Sequence, residues 1–516
     1  MNATESILLA QLGDPTKAWI LEQFPALGAQ TPAELAHAIA RFLSRRDGIG
    51  GGYATYLDRE SLASIASAFH KKAGTLTEKV RSNIAALADG APIVRFSHQP
   101  IMLAYMGVLG QFVLMHFVAD ELYESHGVLV CELHQSVDYD VATEKRLRVG
   151  YYPNVEGRGG FLPLSVPRLA GSSYAKLNWA MHKPSEAVIR NWYRSLDAVL
   201  TRDMSILGRR GVRETRPGQT FGWYRAYKHE VGEAISRSTS LAEFNCILSS
   251  RIVNLHWKLP TAFVPSTEMV VLMREQFEQL LALYPRLVRE TNRAVDHLRS
   301  MGVDLPLRLR ASPSVLPFWY SCTNCSSRVA MDIQGRISSG ECAYCHAIHR
   351  IDLGSPGAPN LEVTARRLSP RVLFQDLLDV FGLSMVGGVG YLGNAEHYLV
   401  SGSVLSNLGL DVPPDLIWRP KGIYFGPAES RAAIVLSQQI AADQHRRIHD
   451  ALRLVYSSRA VGLYYILSDG STGLLESWNR HFERGRGITD PILGEIGFEL
   501  SQNEIDSLIR AVELYE

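Results

Sequence analysis

The sequence predicts an α/β protein: a parallel-sheet core with a helical N-terminal region, an inserted zinc ribbon and long helices able to pair as an antiparallel arm. Three observations carry that expectation. From residue 91 onward, short buried strands alternate with apolar helices. Four of the six cysteines fall into two C-x-x-C pairs, Cys322 with Cys325 and Cys342 with Cys345, separated by sixteen residues. Two long amphipathic stretches, 266–302 and 430–458, have the length of arm-forming helices.

Residues 1–90 read as helical. In TPAELAHAIARFLSRR (31–46), Thr31 stands three residues before Glu34, the reciprocal pair of a capping box. DRESLASIASAFHKKA and TLTEKVRSNIAALA repeat the helical spacing after the glycine-rich break DGIGGGY (47–53). Such helices bury one face as a packing layer. Next, APIVRFS reads as a buried strand and MGVLGQFVLMHFVADELYESHG (106–127) as an apolar helix ended by glycine. VLVCELH (128–134) reads as a second strand. Strand, long crossover and strand make a βαβ unit with parallel pairing, whose ligands bind beyond the carboxyl ends of the strands. Residues 91–265 are therefore taken as the first part of the core, including the helix of 183–204. Residues 266–315 form a long helical segment, in which Pro285 is a point of breakage. The ribbon occupies 316–352, the second part of the core 353–428, and a C-terminal helical region 429–516. Within 381–409 the pattern reads as strand, glycine-rich turn and helix.

The whole-chain composition excludes several classes. A net charge of +1 without a long basic run argues against a dedicated nucleic-acid binder. No apolar stretch reaches the roughly 18–20 residues of a membrane span. The first twenty residues lack a basic region followed by an apolar one, so no signal peptide is expected. Few cysteines, most of them in knuckles, suit a reducing compartment, and a cytoplasmic protein is expected.

C-x2-C-x16-C-x2-C is zinc-ribbon spacing. Zn²⁺ favours four soft ligands in a tetrahedron, and each knuckle supplies two thiolates on a tight turn. With four thiolates the metal has no open position, so the expected Zn²⁺ is structural rather than catalytic. His346 and His349 follow closely as substitute ligands. Cys131 and Cys246 lie in apolar segments and read as buried and inert.

Two strand ends carry the candidate chemistry. SHQP places Ser97, His98 and Gln99 after the first strand; a histidine facing a cleft there can act as acid, base or phosphate contact, whereas a lone histidine is commonly structural. DYD places Asp138 and Asp140 after the second, on one face if the chain is extended. Paired carboxylates can hold Mg²⁺ or an ammonium group, and also occur in solvated turns. GGVGYLGNAE (387–396) has backbone able to approach a ligand closely, but it is neither a P-loop nor a dinucleotide fingerprint.

Taken in order, these segments resemble the bacillithiol-synthesis cysteine-adding enzymes, the BshC-like family, over about residues 91–425. The family's G-Q-Q-P motif after a strand is matched by Ser97, His98, Gln99 and Pro100, and its D-H-D-F motif by Asp138, Tyr139, Asp140 and Val141. Its S-P-N-x-L motif is matched by 369–373. Its Y-V-G-G-P-x-E motif is matched by Tyr391, Leu392, Gly393, Asn394, Ala395 and Glu396. The resemblance implies a Rossmann-like core related to class I synthetase folds and a coiled-coil arm used for homodimerisation. It implies an activity that joins an amino acid, cysteine in the family, to an amine of a small sugar-linked acceptor. An adenine nucleotide, ATP or ADP with Mg²⁺, would activate the carboxylate.

Under that resemblance, His98 and Gln99 contact the nucleotide or activated carboxylate, and Asp138 and Asp140 orient the amine or a metal ion. Ser97, Gly393, Asn394, Glu396 and His397 bind substrate or nucleotide. The chain departs from the pattern at Ser97, His98 and Tyr139, at Phe112 where a lysine is expected, and in the cysteine quartet beside LPFWY (316–320). A divergent member with a different acceptor is therefore expected. Two rivals remain: a class I synthetase-like enzyme using tRNA, with SHQP and RPKGI (419–423) as degenerate signatures, and a non-catalytic zinc-containing binding module.

Overall fold

The computed structural model describes residues 14–24, 32–46, 57–102, 106–141, 145–153, 161–166, 177–209, 219–303, 305, 309–355, 358–361, 365–390 and 392–417. The expected C-terminal helices, and the RPKGI segment, lie outside them.

Helices come first: α1 (Asp14–Gln23), α2 (Pro32–Arg46), α3 (Arg59–Ala73) and α4 (Glu78–Ala88). Pro32 opens α2 at the first helical position, where a missing N–H costs nothing. Asp58 and Thr77 cap α3 and α4 by accepting the N–H of Glu60 (3.1 Å) and Val80 (3.3 Å). The predicted βαβ unit follows as β1 (Ile93–His98), α5 (Met106–His126) and β2 (Cys131–Ser136), with Gly127 in the left-handed region closing the helix. A hairpin, β3 (Val149–Pro153) and β4 (Phe161–Ser165), leads to α6 (Glu186–Arg209), α7 (Gln219–Arg237), α8 (Leu241–Ser250), β5 (Ala262–Pro265) and α9 (Arg274–Ser300). Then come β6 (Val315–Ser321), β7 (Arg328–Gln334), β8 (Ile337–Glu341), β9 (Ile348–Asp352), β10 (Gly354–Ser355), β11 (Ala358–Pro359) and β12 (Leu368–Pro370). The last described elements are α10 (Val372–Leu383), β13 (Met385–Gly390), α11 (Leu392–Asn407) and β14 (Asp415–Ile417).

The main sheet has the order β14-β13-β1-β2-β5, and every neighbouring pair is parallel. The chain lays down β1, β2 and β5 in one direction, then returns to the other side of β1 for β13 and β14. Strand order therefore reverses between β1 and β13. Both faces are covered. Val94 and Phe96 of β1 point into a core with α2, α5 and α8, while Ile93 joins an opposite core with α4, α9, α10 and α11.

A second sheet, of order β12-β6-β7-β8-β9, is antiparallel and carries the cysteine pairs. It has no core of its own. Phe318, Val329 and Met331 share a cluster with Phe277 of α9 and Leu377 of α10.

Three expectations need adjustment. The long helical segment begins at Arg274, after a separate short helix at Ser266–Met269, and runs unbroken through Pro285. An interior proline costs about 3 kcal/mol; packing on both sides of it holds the helix, with the Tyr284 hydroxyl donating to the carbonyls of Ser312 and Val315. The apolar stripe of α9, from Phe277 to Leu298, is buried in the core. It therefore presents no free seam for an arm. Finally, the glycines expected in a turn lie inside β13. A β-carbon on Gly387 would sit 2.4 Å from Ile39 Cδ1, and one on Gly388 2.5 Å from Asp415 Oδ1. The strand takes glycine because neighbours approach its backbone. No helix among the described residues is long and apolar enough to cross a membrane.

Candidate functional site

A cavity of about 160 Å³ opens at the carboxyl end of β1, beside the point where strand order reverses. Open α/β sheets bind ligands at such points because two crossovers leave a crevice between adjacent strands. Ser97, His98 and Gln99 line it from the end of β1, and Tyr139 and Asp140 from the turn after β2. His397 and Tyr398 contribute from α11, and Asp415 from the start of β14. Another wall comes from the second sheet, through Trp319 of β6, Arg328 of β7 and Pro370 of β12. The cysteine-bearing sheet therefore borders the cavity.

Five of the predicted residues thus meet here: Ser97, His98, Gln99, Asp140 and His397. Asp138 does not. The chain turns directly after β2, with Asp138 N–H donating to Ser136 O at 2.9 Å, so the alternation of an extended strand ends before the two aspartates. Asp138 faces the other way and accepts from both the N–H and the hydroxyl of Thr267, at the start of the Ser266–Met269 helix. Burial pushes its carboxyl up to about 6, against the opposing pull of these hydrogen bonds. It is a structural cap, and the expected Asp138–Asp140 metal or amine clamp is not formed. Glu396 is half-buried and lies outside the cavity lining. Gly393 and Asn394 lie in the first turn of α11.

Asp140 ties three parts of the chain together. It accepts from Gln99 Nε2 on one oxygen and from Arg328 Nη2, at 2.9 Å, on the other. Arg328 also donates to Tyr139 O at 3.0 Å. His98 Nδ1 lies 2.7 Å from Gln99 O; a carbonyl only accepts, so that nitrogen donates.

The sheet-side wall was not anticipated. Arg95 of β1, Gly388 of β13 and Asp415 of β14 are cross-strand partners in one row. Side chains in such a row share a face of the sheet, so the missing β-carbon at Gly388 leaves a notch between Arg95 and Asp415. Arg95 pairs with the fully buried Asp379 and, at 3.6 Å, with Asp376. Gln375 links this group to the turn after β2, donating to Asp379 at 2.6 Å and accepting from the Tyr139 hydroxyl. Asp415 is 7% exposed, and its Oδ1 has no hydrogen-bond partner. Burial pushes its carboxyl up to about 7; Arg95 opposes the rise and Asp376 adds to it. One signal in the sequence could have pointed here: an arginine in the middle of the buried strand IVRFS, since a charge in such a strand needs partners.

The four cysteines converge. Cys322 and Cys345 Sγ lie 3.5 Å apart, Cys325 and Cys342 Sγ 3.6 Å apart, and all four atoms within 4.8 Å of one another. Thiolates at about 2.3 Å from Zn²⁺ define a tetrahedron with edges of about 3.8 Å. The donor set therefore suits such an ion. The knuckles repeat one another. Ser326 and His346, each following the second cysteine of its pair, are both left-handed, with φ of 56° and 58°. Ser326 N–H donates to Cys322 O (3.0 Å) and His346 N–H to Cys342 O (2.9 Å). The histidines are not substitutes for cysteine: His346 turns out to Glu341, and His349 Nε2 lies 3.2 Å from Cys322 Sγ, placed to donate to a ligand sulfur. Cys131 and Cys246 are buried away from this centre, and burial raises both thiols. Among the described residues, the quartet is the one group of histidine, cysteine and carboxylate side chains arranged for a metal ion.

Fold and site together define an α/β protein with a five-stranded parallel sheet, a small cleft at its carboxyl edge and a four-cysteine centre capable of holding Zn²⁺. The chain matches no known family model and no curated protein.

Proposed function

We propose that the protein is a ligase of the bacillithiol cysteine-adding type, forming an amide bond between an amino acid, cysteine first among candidates, and a small-molecule amine. The observation that carries this reading is the cleft where strand order reverses, built by SHQP, the DYD turn and the helix after β13. Strand order β14-β13-β1-β2-β5 suits a Rossmann-like core.

An amide forms only after the carboxylate is activated, and the reading takes ATP with Mg²⁺ as the source of that activation. The chain's own residues bind and orient. Ser97 and His98 line the cavity at the end of β1. Asp140, fixed by Gln99 and Arg328, holds the wall that faces them. Zn²⁺ stays structural, stiffening the sheet that carries Trp319 and Arg328.

The test is amino-acid hydroxamate formation. Purified protein is incubated with ATP, Mg²⁺, hydroxylamine and each of the common amino acids in turn. Hydroxamate from one or a few amino acids, with stoichiometric release of phosphate or pyrophosphate, is expected. No hydroxamate and no amino-acid-dependent nucleotide turnover with any of them would refute the proposal.

A further inference from the structure

We infer that Asp415 is the residue that receives the amine, pairing with its ammonium form and accepting the proton it must lose before it can attack. This deepens the ligase reading and rests on it.

The geometry is specific. Three carboxylates, Asp376, Asp379 and Asp415, stand around one guanidinium, that of Arg95. Asp379 is fully buried against Arg95, and Asp376 is shared between Arg95 and the Ser401 hydroxyl, which donates at 3.3 Å. Asp415 remains: it lines the cavity, is more than nine-tenths buried, and has a carboxylate oxygen with no donor. Oδ1 is itself sealed beside Gly388, so a ligand reaches Asp415 through its other carboxylate oxygen, and a buried charge left this way costs free energy unless a ligand compensates it.

Its position is held by several groups. Asp415 N–H points to the Tyr398 hydroxyl (3.3 Å), which donates to Pro413 O (3.1 Å). Gly388 clears the space beside Oδ1. The surplus of negative charge calls for a cation. A divalent ion would need three ligand atoms close together, and among the described residues no carboxylate group offers them. A primary ammonium needs only one charged acceptor and the neighbouring oxygens. The ionisable groups lining the cavity with Asp415 are Arg95 and His98 from β1, Tyr139 and Asp140 from the turn after β2, Arg328 from β7, Asp376 from α10, and His397 and Tyr398 from α11.

In the reaction, the ammonium gives one proton to the Asp415 carboxylate. The freed nitrogen lone pair forms the bond to the acyl carbon. The acyl C–O bond then breaks, its electron pair leaving with the phosphate-bearing group, and the nitrogen's second surplus proton passes to that group or to water. A base whose affinity for protons lies near neutrality is suited to this exchange.

The test uses the full chain, glucosamine as the probe amine, and Asp415→Asn. By saturation-transfer NMR or calorimetry, glucosamine binding to the wild type should tighten as pH rises from 6 to about 7, because the Asp415 carboxylate ionises over that range, and weaken again above it as the amine loses its own proton. Asp415→Asn should bind about tenfold more weakly and lose that tightening. Its melting temperature at pH 8 should not fall, since the substitution removes a buried charge. In turnover, the variant should keep hydroxamate formation with hydroxylamine, uncharged at neutral pH, and lose amide formation with glucosamine. Equal loss of both products, unchanged glucosamine binding, or Mg²⁺ binding that depends on Asp415 would overturn the assignment. Absence of hydroxamate with the wild type would sink the ligase reading instead, leaving the binding arm to judge Asp415.

Discussion

Asp138 and the buried histidines show how polar side chains serve the fold away from the cleft. Asp138 satisfies two donors of Thr267. Asp138→Ala should cost about 1 kcal/mol in urea unfolding, as loss of a helix cap does, and leave glucosamine binding unchanged. His70 accepts the N–H of Phe263 at 2.9 Å and meets Thr75 Oγ1 at 2.7 Å through its other nitrogen. His134 Nδ1 donates to Phe96 O at 3.0 Å, within an aromatic cluster of Phe96, Phe112 and Phe263. Burial pushes both histidines down to about 3, with His98 adding to the effect on His134. Their folded affinity for protons lies below the unfolded value, so their contribution is complete above about pH 6.5 and is lost as pH falls towards 3. His134→Phe should therefore show a shallower loss of melting temperature between pH 6.5 and 4 than the wild type. An equal slope would show that His134 is protonated in the folded chain.

At the scale of elements, the second sheet depends on one close approach. A β-carbon on Gly340 of β8 would lie 2.2 Å from Ala330 O, a backbone atom that cannot swing aside. Gly340→Ala should separate β7 from β8 and move the second cysteine pair out of register with the first. Zinc content, measured by mass spectrometry, should fall well below the one ion per chain expected for the wild type. Retention of a full complement would mean that the hairpin tolerates a bulge there. The four-cysteine cluster was legible in the sequence because two C-x-x-C turns leave a fixed local spacing. The β1–α5–β2 unit was legible because buried strands and a long crossover leave a strong local pattern. The wall of the cleft was not legible. Arg95, Gly388 and Asp415 become neighbours only through the register of β1, β13 and β14, which no short segment encodes. The same register explains the glycines of β13, whose clustering looks like a turn when the approaching Ile39 and Asp415 are unseen.

Across the whole molecule, the cysteine-bearing sheet and the parallel sheet share one core and one cleft. Removing Zn²⁺ with a strong chelator should weaken glucosamine binding, because Trp319 and Arg328 would no longer be held at the wall. Arg328→Met should weaken it comparably while zinc content stays whole, since it cuts the link to Tyr139 and Asp140 alone. Full binding after chelation would make the ribbon a bystander. The sheet order also governs how the chain comes into being. β1 is the central strand, yet the partner on one of its flanks is not made until residues 385–390. For nearly three hundred residues of synthesis, β1 carries an open hydrogen-bonding edge of the kind that recruits other strands. Truncations ending shortly before residue 385 should accordingly collect in the insoluble fraction, whereas chains extended through β14 close that edge themselves.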